Sequence, residues 1–321
     1  MNSTLKAYAV RLFPQVAALA VILVMVSIAF PGFFRLEMQN GRLYGSIIDI
    51  LNRGAPVALL AIGMTVVIAT KGIDLSVGAV MAISGAVAAA CITSGYGLAA
   101  TLLITLGTGI LCGLWNGVLV AVLDIQPIIA TLVLFIAGRG IAQVMTNGNL
   151  QVFKNEGFQF IAMGRIAGIP AQVVLMLILA VLAWAMIRYT VIGRQIIAVG
   201  GNEKAAQLTG IPVKRVKMLV YMISGALAGV AGLIVVARNS ASDANLVGLG
   251  MELDAIAAVA VGGTLLTGGR ANIVGTVLGA FVIQLVRYTL LANGVPDAAA
   301  LIVKAGLIVL AVFIQQRADR H

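Results

Sequence analysis

Residues Arg188–Lys217 read RYTVIGRQIIAVGGNEKAAQLTGIPVKRVK and separate two long runs of Leu, Val, Ile and Ala. This stretch contains six lysines and arginines but a single acid, so it cannot continue either apolar run. Asn202 is a residue type that caps the start of a helix, while Gly210 and Pro212 are types that end one. The pattern predicts a short helix, Glu203–Leu208, in a basic loop between two membrane-spanning segments.

The composition of the whole chain supports this interpretation. Hydrophobic residues make up 61% of the 321 residues, charged residues make up 10%, and the mean hydropathy is +1.09. In a soluble domain about a quarter of the residues are charged. The apolar runs are continuous rather than alternating and about 16–25 residues long, which is the length a helix needs to cross a bilayer. The sequence therefore predicts an all-α integral membrane protein.

The net charge of +10 arises from 21 Lys and Arg against 11 Asp and Glu. In a soluble protein such an excess would suggest binding to nucleic acid, but the chain has no basic patch with interleaved aromatic residues. In a membrane protein the same excess is expected, because cytoplasmic loops are enriched in Lys and Arg. We therefore expect contact with membrane lipid and none with nucleic acid.

About ten apolar segments are candidates for transmembrane helices. They are 12–33, 55–70, 75–93, 98–123, 127–145, 171–187, 218–237, 253–267, 273–291 and 298–314. The first has no small-residue cleavage site after it, so we interpret it as a retained span and not as a signal peptide. The segments 55–70, 75–93 and 253–267 are short and are candidates for broken or re-entrant helices, which leaves eight spans as the alternative.

An even number of spans places both termini on the same side of the membrane. Basic residues near the N-terminus, in Arg188–Lys217 and in the C-terminal tail indicate that all three are cytoplasmic. We therefore expect one transmembrane domain, residues 1–321, with a cytoplasmic loop at 188–217. Two short segments start with an acid, Asp74 or Asp254, followed by small residues, which suggests an internal repeat.

Glycines spaced four residues apart predict close contact between helices, because a missing side chain lets two backbones approach. Such spacings occur at Gly109–Gly117, Gly225–Gly229 and Gly275–Gly279. They are common in membrane proteins and indicate a helix bundle without indicating a function.

Few residues are available for catalysis or metal binding. Cys91 and Cys112 lie in apolar segments without a CxxC spacing, and the one histidine, His321, is the last residue. We therefore expect no metal, no cofactor and no catalytic residues. No lysine is followed by Ser or Thr, so the chain has no phosphate-binding loop of the P-loop type. ATP hydrolysis, if the protein depends on it, must occur on another subunit.

The short helix in the basic loop resembles the segment by which the permeases of ABC importers dock on their ATPase. The residues that carry this resemblance are Glu203, Ala205, Ala206 and Gly210. Two alanines allow a helix to lie close in a groove, the glutamate offers a charged contact, and the glycine releases the chain. An ordinary cytoplasmic loop with one helical turn is the alternative interpretation.

The resemblance extends over nearly the whole chain. The segments that carry it are GMTVVIATKGIDLSVG (63–78), QPIIATL (126–132), GRG (138–140), TNG (146–148), ELDAIAAV (252–259), GGT (262–264) and GGR (268–270). In this combination they are similar to the inner-membrane permeases of bacterial monosaccharide ABC importers of the ribose, xylose and galactofuranose group. The segments NRGAPVALLAIGMT (52–65) and LWNG (114–117) look closest to the galactofuranose type. Lys71 departs from the family pattern, which has a small residue there in many members.

The family resemblance implies a non-catalytic permease that receives a monosaccharide from a periplasmic binding protein. It also implies a separate ABC ATPase and a second permease copy or a paralogous permease. Other readings remain open: an ABC permease for a branched-chain amino acid or another small polar solute, an ion-driven secondary transporter with Asp74 and Asp254 as ligands, or a membrane-embedded enzyme. The last has no acid dyad or catalytic histidine to support it.

Polar residues in apolar segments are candidates for the translocation path or for an intramembrane polar network, because such groups need a partner or a cavity. They are Asp74, Asn116, Gln126, Thr131, Arg139, Asn147 and Asp254. Arg139 lies about midway through its segment. We expect it either to pair with an acid, Asp74 or Asp254, as a structural lock, or to donate hydrogen bonds to a passing sugar.

Overall fold

The computed structural model describes residues 19–20, 23–24, 33–35, 37–39, 42–296, 298–303, 305–306 and 309. Over these ranges the chain is predominantly helical. The predicted spans 12–33 and 298–314 lie largely outside the described residues, although residues 298–303 are helical.

The helices are numbered in chain order. They are α1 (Ser46–Ala69), α2 (Val77–Thr93), α3 (Leu98–Ala121), α4 (Pro127–Thr146), α5 (Glu156–Met163), α6 (Ala171–Tyr189), α7 (Val191–Gly201), α8 (Glu203–Leu208), α9 (Val213–Asn239), α10 (Met251–Val261) and α11 (Ile273–Ala292). Six of them, α1, α3, α4, α6, α9 and α11, are long and apolar enough to cross a membrane. This confirms the prediction of an all-α membrane protein.

Short strands occur in the connections between the helices. They are β1 (Glu37–Gln39), β2 (Arg42–Tyr44), β3 (Gln151–Val152), β4 (Arg165–Ile166), β5 (Ile169–Pro170) and β6 (Ala241–Ser242). β1 pairs with β2, β4 pairs with β5, and β3 pairs with β6, all antiparallel. The β3–β6 pair joins the connection after α4 to the connection after α9.

Helices α1 and α9 form the centre of the bundle and are buried along most of their length. α9 packs against α1, α2 and α3, while α1 also packs against α10 and α11. Residues 54–69 of α1 and 218–237 of α9 are apolar on almost all sides, as expected for helices surrounded by other helices. In contrast, α3, α4 and α6 expose many large apolar side chains, including Leu103 and Val144, which are 70% and 78% exposed. These faces suit contact with lipid or with another membrane helix.

The predicted close contacts at the glycine repeats are confirmed. α3 and α9 run antiparallel, with Gly109 beside Gly225 and Gly113 beside the backbone of Tyr221 and Met222. Gly279 of α11 packs in the same way against Ala258 of α10. At each contact a side chain in place of the glycine would meet backbone atoms, which cannot move aside as a flexible side chain can.

Two of the three predicted short spans are short helices in the structure. α2 has 17 residues and is apolar, and α10 has 11 residues and is followed by a loop with left-handed glycines at Gly263, Gly268 and Gly269. The starts of these two helices meet inside the bundle, where Gly78 contacts the carbonyl of Gly248.

The predicted bounds of the segment 55–70 were wrong. α1 has 24 residues and begins at Ser46, so Asp49, Asn52 and Arg53 belong to the helix and not to a polar loop. Polar side chains are tolerated there because Asp49 lies in the first turn, where the helix dipole favours an acid, and Arg53 is exposed.

The glycine contacts between α3 and α9 allow a direct stability test. In the variant Gly113→Val the new side chain would come within 2.9 Å of Met222 Cα, so the two helices must separate. We expect the free energy of unfolding to fall by about 3 kcal/mol, measured by chemical denaturation in mild detergent. Gly107→Val is the matched control, because a side chain at Gly107 in the same helix meets nothing within 4 Å. Equal loss of stability in both variants would contradict the packing role.

Candidate functional site

The predicted short helix in the basic loop is confirmed as α8, Glu203–Leu208. The Asn202 side chain caps its start, because Oδ1 accepts a hydrogen bond of 3.1 Å from the backbone N–H of Ala205. At its end Gly210 has φ of +82°, a left-handed conformation that favours glycine. The backbone N–H of Ile211 donates to the carbonyl of Ala206 and closes the turn.

The two alanines of α8 point in different directions. Ala206 is buried against the protein and is 4% exposed, whereas Ala205 is exposed. Leu208 is 89% exposed, an extreme value for a leucine in an otherwise polar loop. The outward face of α8 therefore carries a small residue and an uncovered apolar one among exposed polar side chains.

The charge on Glu203 has a partner inside the chain. Lys217 Nζ, at the start of α9, lies 2.7 Å from both carboxylate oxygens of Glu203. The Glu203 side chain is 48% exposed, so this ion pair contributes at most about 1 kcal/mol to stability. It orients α8 relative to α9 and leaves the carboxylate accessible from outside.

The end of α7 connects α8 to the core of the bundle. Gly200 packs against the carbonyl of Ala69 at the end of α1, too closely for any side chain. The N–H of Gly269 donates to the same carbonyl at 3.0 Å, and Lys71 Nζ donates to the carbonyl of Gly201 at 3.3 Å. Three chain segments, the ends of α1 and α7 and the loop after α10, are thus held together directly behind α8.

Lys71 has a structural role that the sequence did not reveal. Its φ of +65° is in the left-handed region, where glycine is favoured, which explains the small residue expected at this position. Here the lysine side chain contributes the hydrogen bond to Gly201 across the junction. The lysine side chain therefore tethers the end of α1 to the end of α7.

A buried carboxylate lies just beyond this junction, in the loop between α1 and α2. Asp74 is 1% exposed. Its Oδ1 accepts hydrogen bonds from the backbone N–H (3.0 Å) and the hydroxyl (2.6 Å) of Ser76, and Asn116 Nδ2 of α3 lies at 3.4 Å. Its Oδ2 accepts a bond of 2.8 Å from the Ser224 hydroxyl of α9. One side chain thereby ties the start of α2 to α3 and α9.

Thr131 of α4 supports the same loop. Its Oγ1 accepts a hydrogen bond of 3.2 Å from the backbone N–H of Leu75 and lies 3.4 Å from the carbonyl of Ile73. Three of the predicted polar residues, Asp74, Asn116 and Thr131, are therefore brought together around one loop. Gln126 and Asn147 are exposed at the two opposite ends of α4 and do not join this cluster.

Arg139 does not pair with Asp74 or Asp254, and that expectation was wrong. Its Nη1 donates to the carbonyls of Ala244 (2.9 Å) and Val247 (2.6 Å) in the connection between α9 and α10. Gln143, one turn further along α4, donates to Asn245 Oδ1 of the same connection at 2.7 Å. The arginine thus locks a loop to α4 through backbone carbonyls, which sequence patterns do not show.

Asp254 lies in a second polar site, at the end of the bundle opposite α8. It lines a cavity of about 240 Å³ between the first half of α1, the end of α9, the start of α10 and the second half of α11. We call this site the arginine cavity. Its polar lining residues are Arg53, Arg238, Asp254, Gln284 and Arg287. Arg53, Arg238 and Gln284 were missed at the sequence level, because they come from three helices distant in the chain.

The arginine cavity has an excess of positive charge. Arg238 donates from Nη1 to the carbonyl of Asn52 at 3.4 Å. Asp254 and Gln284 are each 4% exposed. In the described part of the chain, no group of three His, Cys, Asp or Glu residues is arranged to hold a metal ion.

The known proteins that are similar to this chain are all described as permeases of transport systems. A family model described as the permease component of the branched-chain amino acid transport system matches residues 46–312. The chain is 49% identical to the galactofuranose transporter permease protein of Escherichia coli (strain K12), over 94% of this chain and 89% of that protein. It is 39% identical to the ribose import permease protein of Bacillus subtilis (strain 168), over 93% and 91% of the two chains.

A third relative is the fructose import permease protein of Bifidobacterium longum (strain NCC 2705). It is 38% identical over 96% of this chain and 88% of its own length. No solved structure matches the chain.

The Asp74 network allows a second stability test. Asp74→Ala removes the acceptor of the Ser76 and Ser224 hydroxyls and leaves them buried without it, so we expect a loss of about 3 kcal/mol in the free energy of unfolding. Asp49→Ala is the control, because this acid is exposed in the first turn of α1. Denaturation of both variants in mild detergent measures the difference. A similar small loss in both would contradict the role of Asp74.

Proposed function

The chain belongs to the family of permease components of the branched-chain amino acid transport system, and from this membership we propose how it works. It is the membrane-spanning, non-catalytic permease subunit of an ABC importer for a monosaccharide. It resides in the bacterial inner membrane as a multi-pass protein, with an ABC ATPase and a substrate-binding protein as partners. Among the relatives described above, the one with the highest identity has a galactofuranose transporter name.

The observation that best supports a mechanism is the position of α8. It is capped at both ends, buried on one side through Ala206, and exposed on the other through Ala205 and Leu208. We propose that this outward face binds the ATPase subunit and that Glu203, Ala205, Ala206 and Gly210 form its coupling element. Ala206 acts from the inner side by allowing α8 to pack closely on the bundle.

Movement of α8 would reach the membrane core through the junction behind it. α8 follows α7, whose end is fixed to Ala69 and Lys71 at the end of α1. The next few residues lead to Asp74, which is bonded to α9 through Ser224. We propose that ATP-driven closure of the ATPase displaces α8 and that this rigid connection transmits the displacement to α1, α2 and α9.

The roles of the polar residues differ in this mechanism. We propose that Asp74, Asn116 and Thr131 form an intramembrane lock, since each forms at least one hydrogen bond to a neighbouring segment of the chain. Arg139 holds the connection before α10, and Asp254 faces the translocation path in the arginine cavity. Gln126 and Asn147, at the two ends of α4, are proposed to lie near the entrances of the path.

Two alternatives have specific observations for or against them. The matching family model is described for branched-chain amino acids, which keeps such a solute as the second candidate cargo. An ion-driven mechanism is less consistent with the structure, because both carboxylate oxygens of Asp74 already accept hydrogen bonds from groups of the chain.

We also propose that the protein has ten spans, one permease domain over residues 1–321, and both termini in the cytoplasm. The described helices support this alternation, since α8 lies at one end of the bundle and the α4–α5 connection lies at the other. The short helices α2 and α10, which meet at their starts, are proposed to be corresponding parts of an internal repeat. The transporter contains a second permease, either an identical copy or a paralogue.

Substitution on the outward face of α8 tests the coupling role. Ala205→Trp should leave membrane insertion intact but reduce co-purification of the ATPase subunit and sugar-stimulated ATP hydrolysis by at least about tenfold, because bulk prevents close docking. Ala99→Trp is the control, since Ala99 is exposed at the opposite end of the bundle. Full ATPase stimulation in the Ala205 variant would rule out the docking role.

Cysteine labelling tests the orientation. In a background with Cys91 and Cys112 replaced, Lys204→Cys should react with a membrane-impermeant maleimide only in inside-out vesicles, because α8 is cytoplasmic. Lys154→Cys, in the exposed α4–α5 connection, should react only in intact spheroplasts. Reaction of both positions from the same side would contradict the proposed topology.

A further inference from the structure

We infer that a pocket at the cytoplasmic end of α6 binds the headgroup and one acyl chain of an anionic phospholipid. The pocket has a volume of about 670 Å³ and lies between the end of α6, the helix α7, the loop after α10 and the start of α11. We call it the interfacial pocket. The lining residues that carry the argument are Trp184, Ile187, Arg188, Arg194, Arg270 and Val274. Its cytoplasmic position rests on the topology proposed above, whereas its contacts with lipid do not.

One face of α6 leads from the surface of the bundle into the interfacial pocket. Leu177, Val181, Trp184 and Arg188 are spaced four, three and four residues apart, so their side chains lie on the same face of the helix. Leu177 and Val181 are 48% and 59% exposed, on a helix that is long and apolar enough to cross a membrane. Trp184 and Arg188 line the pocket. This face is therefore apolar where acyl chains would lie and ends in a cation, as contact with a phospholipid requires.

The wall of the interfacial pocket is apolar and aromatic. Ile187 and Val274 line it, and Trp184 packs edge-to-face on Tyr189, with the ring centroids 5.3 Å apart. Tyr189 is itself 67% exposed. Trp and Tyr are enriched where a membrane protein meets the lipid headgroups. The aromatic pair thus indicates that the pocket opens at the level of the headgroups, where an acyl chain can enter along its apolar wall.

The charged side chains of the interfacial pocket are all basic. Arg188, Arg194 and Arg270 line it, and no Asp or Glu of the described chain does. Arg188 and Arg270 also interact with other parts of the chain. Arg194 is exposed, and its side chain makes no hydrogen bond or ion pair within the described residues, so contact with a phosphate depends mainly on it. Its planar guanidinium suits two phosphate oxygens, and basic pockets between membrane helices on the cytoplasmic side bind anionic headgroups.

Two other occupants match only one half of these features. A soluble phosphate would pair with Arg194 but would leave the apolar wall formed by Trp184, Ile187 and Val274 in contact with water. An acidic surface of the ATPase would likewise account for the arginines and not for the apolar face of α6 that continues into the membrane. An anionic phospholipid covers both the cations and the apolar wall.

Quenching of Trp184 fluorescence by brominated lipids tests the inference. Trp115 and Trp184 are the two tryptophans of the chain, so Trp115→Phe leaves only the fluorescence of the pocket. Trp115 is 53% exposed on α3, and its replacement should leave the packing intact. The full-length protein is placed in phosphatidylcholine vesicles with rising fractions of brominated phosphatidylglycerol or brominated phosphatidylcholine. We expect phosphatidylglycerol to bind at Trp184 about tenfold more tightly. Equal quenching by the two lipids at equal fractions would overturn the inference.

A pair of variants separates the pocket from the general surface charge. Arg194→Gln should weaken the preference for phosphatidylglycerol about fivefold and leave quenching by brominated phosphatidylcholine unchanged, which also shows that the protein remains folded. Arg215→Gln is the matched control, because Arg215 is an exposed cation at the start of α9 that does not line the pocket. No loss of preference in Arg194→Gln, or the same loss in both variants, contradicts a specific site.

The same assay distinguishes the other occupants. Millimolar inorganic phosphate should leave the quenching by brominated phosphatidylglycerol unchanged, and displacement of the lipid by phosphate would show a site for a soluble anion instead. If Arg194→Gln abolishes co-purification of the ATPase and leaves the lipid preference intact, the pocket is a surface for the ATPase and the inference fails. Quenching is measured on the permease without its ATPase. A failure of the coupling role of α8 therefore leaves its outcome unaffected, and the two proposals can be separated.

Discussion

The buried carboxylate of Asp74 imposes the constraint on which the arrangement of the bundle depends. A charged side chain without partners at membrane depth costs roughly 2.5–3.5 kcal/mol or more, so donors must surround it. Ser76, Asn116 and Ser224 supply them from the start of α2, from α3 and from α9. These donors reach one carboxylate only if the three helices keep a fixed relation to each other.

Close backbone packing makes that relation possible. Ser224 lies next to Gly225, and the glycines of α3 and α9 bring the two backbones into contact at the level of the Asp74 network. Gly63 of α1 packs against Ser224 from the other side. The polar network and the glycine contacts are therefore interdependent, since larger residues at the contacts would move the donors away from the carboxylate.

Helices whose start and end are set by neighbouring residues could be predicted from the sequence, and helices set by distant contacts could not. Local signals were sufficient for α8, because its cap and its terminating glycine lie within a few residues of it. They failed for the start of α1, where Asp49 and Arg53 are tolerated because they are exposed and not because of a local pattern. In the sequence, Leu208 is only an isolated apolar residue in a basic loop. Its 89% exposure, which the structure shows, makes it a candidate contact residue.

By itself the sequence determined the membrane environment, the helical class and the family, because long apolar runs and ordered motifs are properties of the chain alone. Only the tertiary structure decided which polar residues meet. Arg139 was expected to pair with an acid but bonds backbone carbonyls, and Asp254 was found in a cavity with arginines from three other helices. The physical reason is that a buried polar group takes whichever donor or acceptor packing brings near, and residues more than a hundred positions apart leave no local trace of that choice.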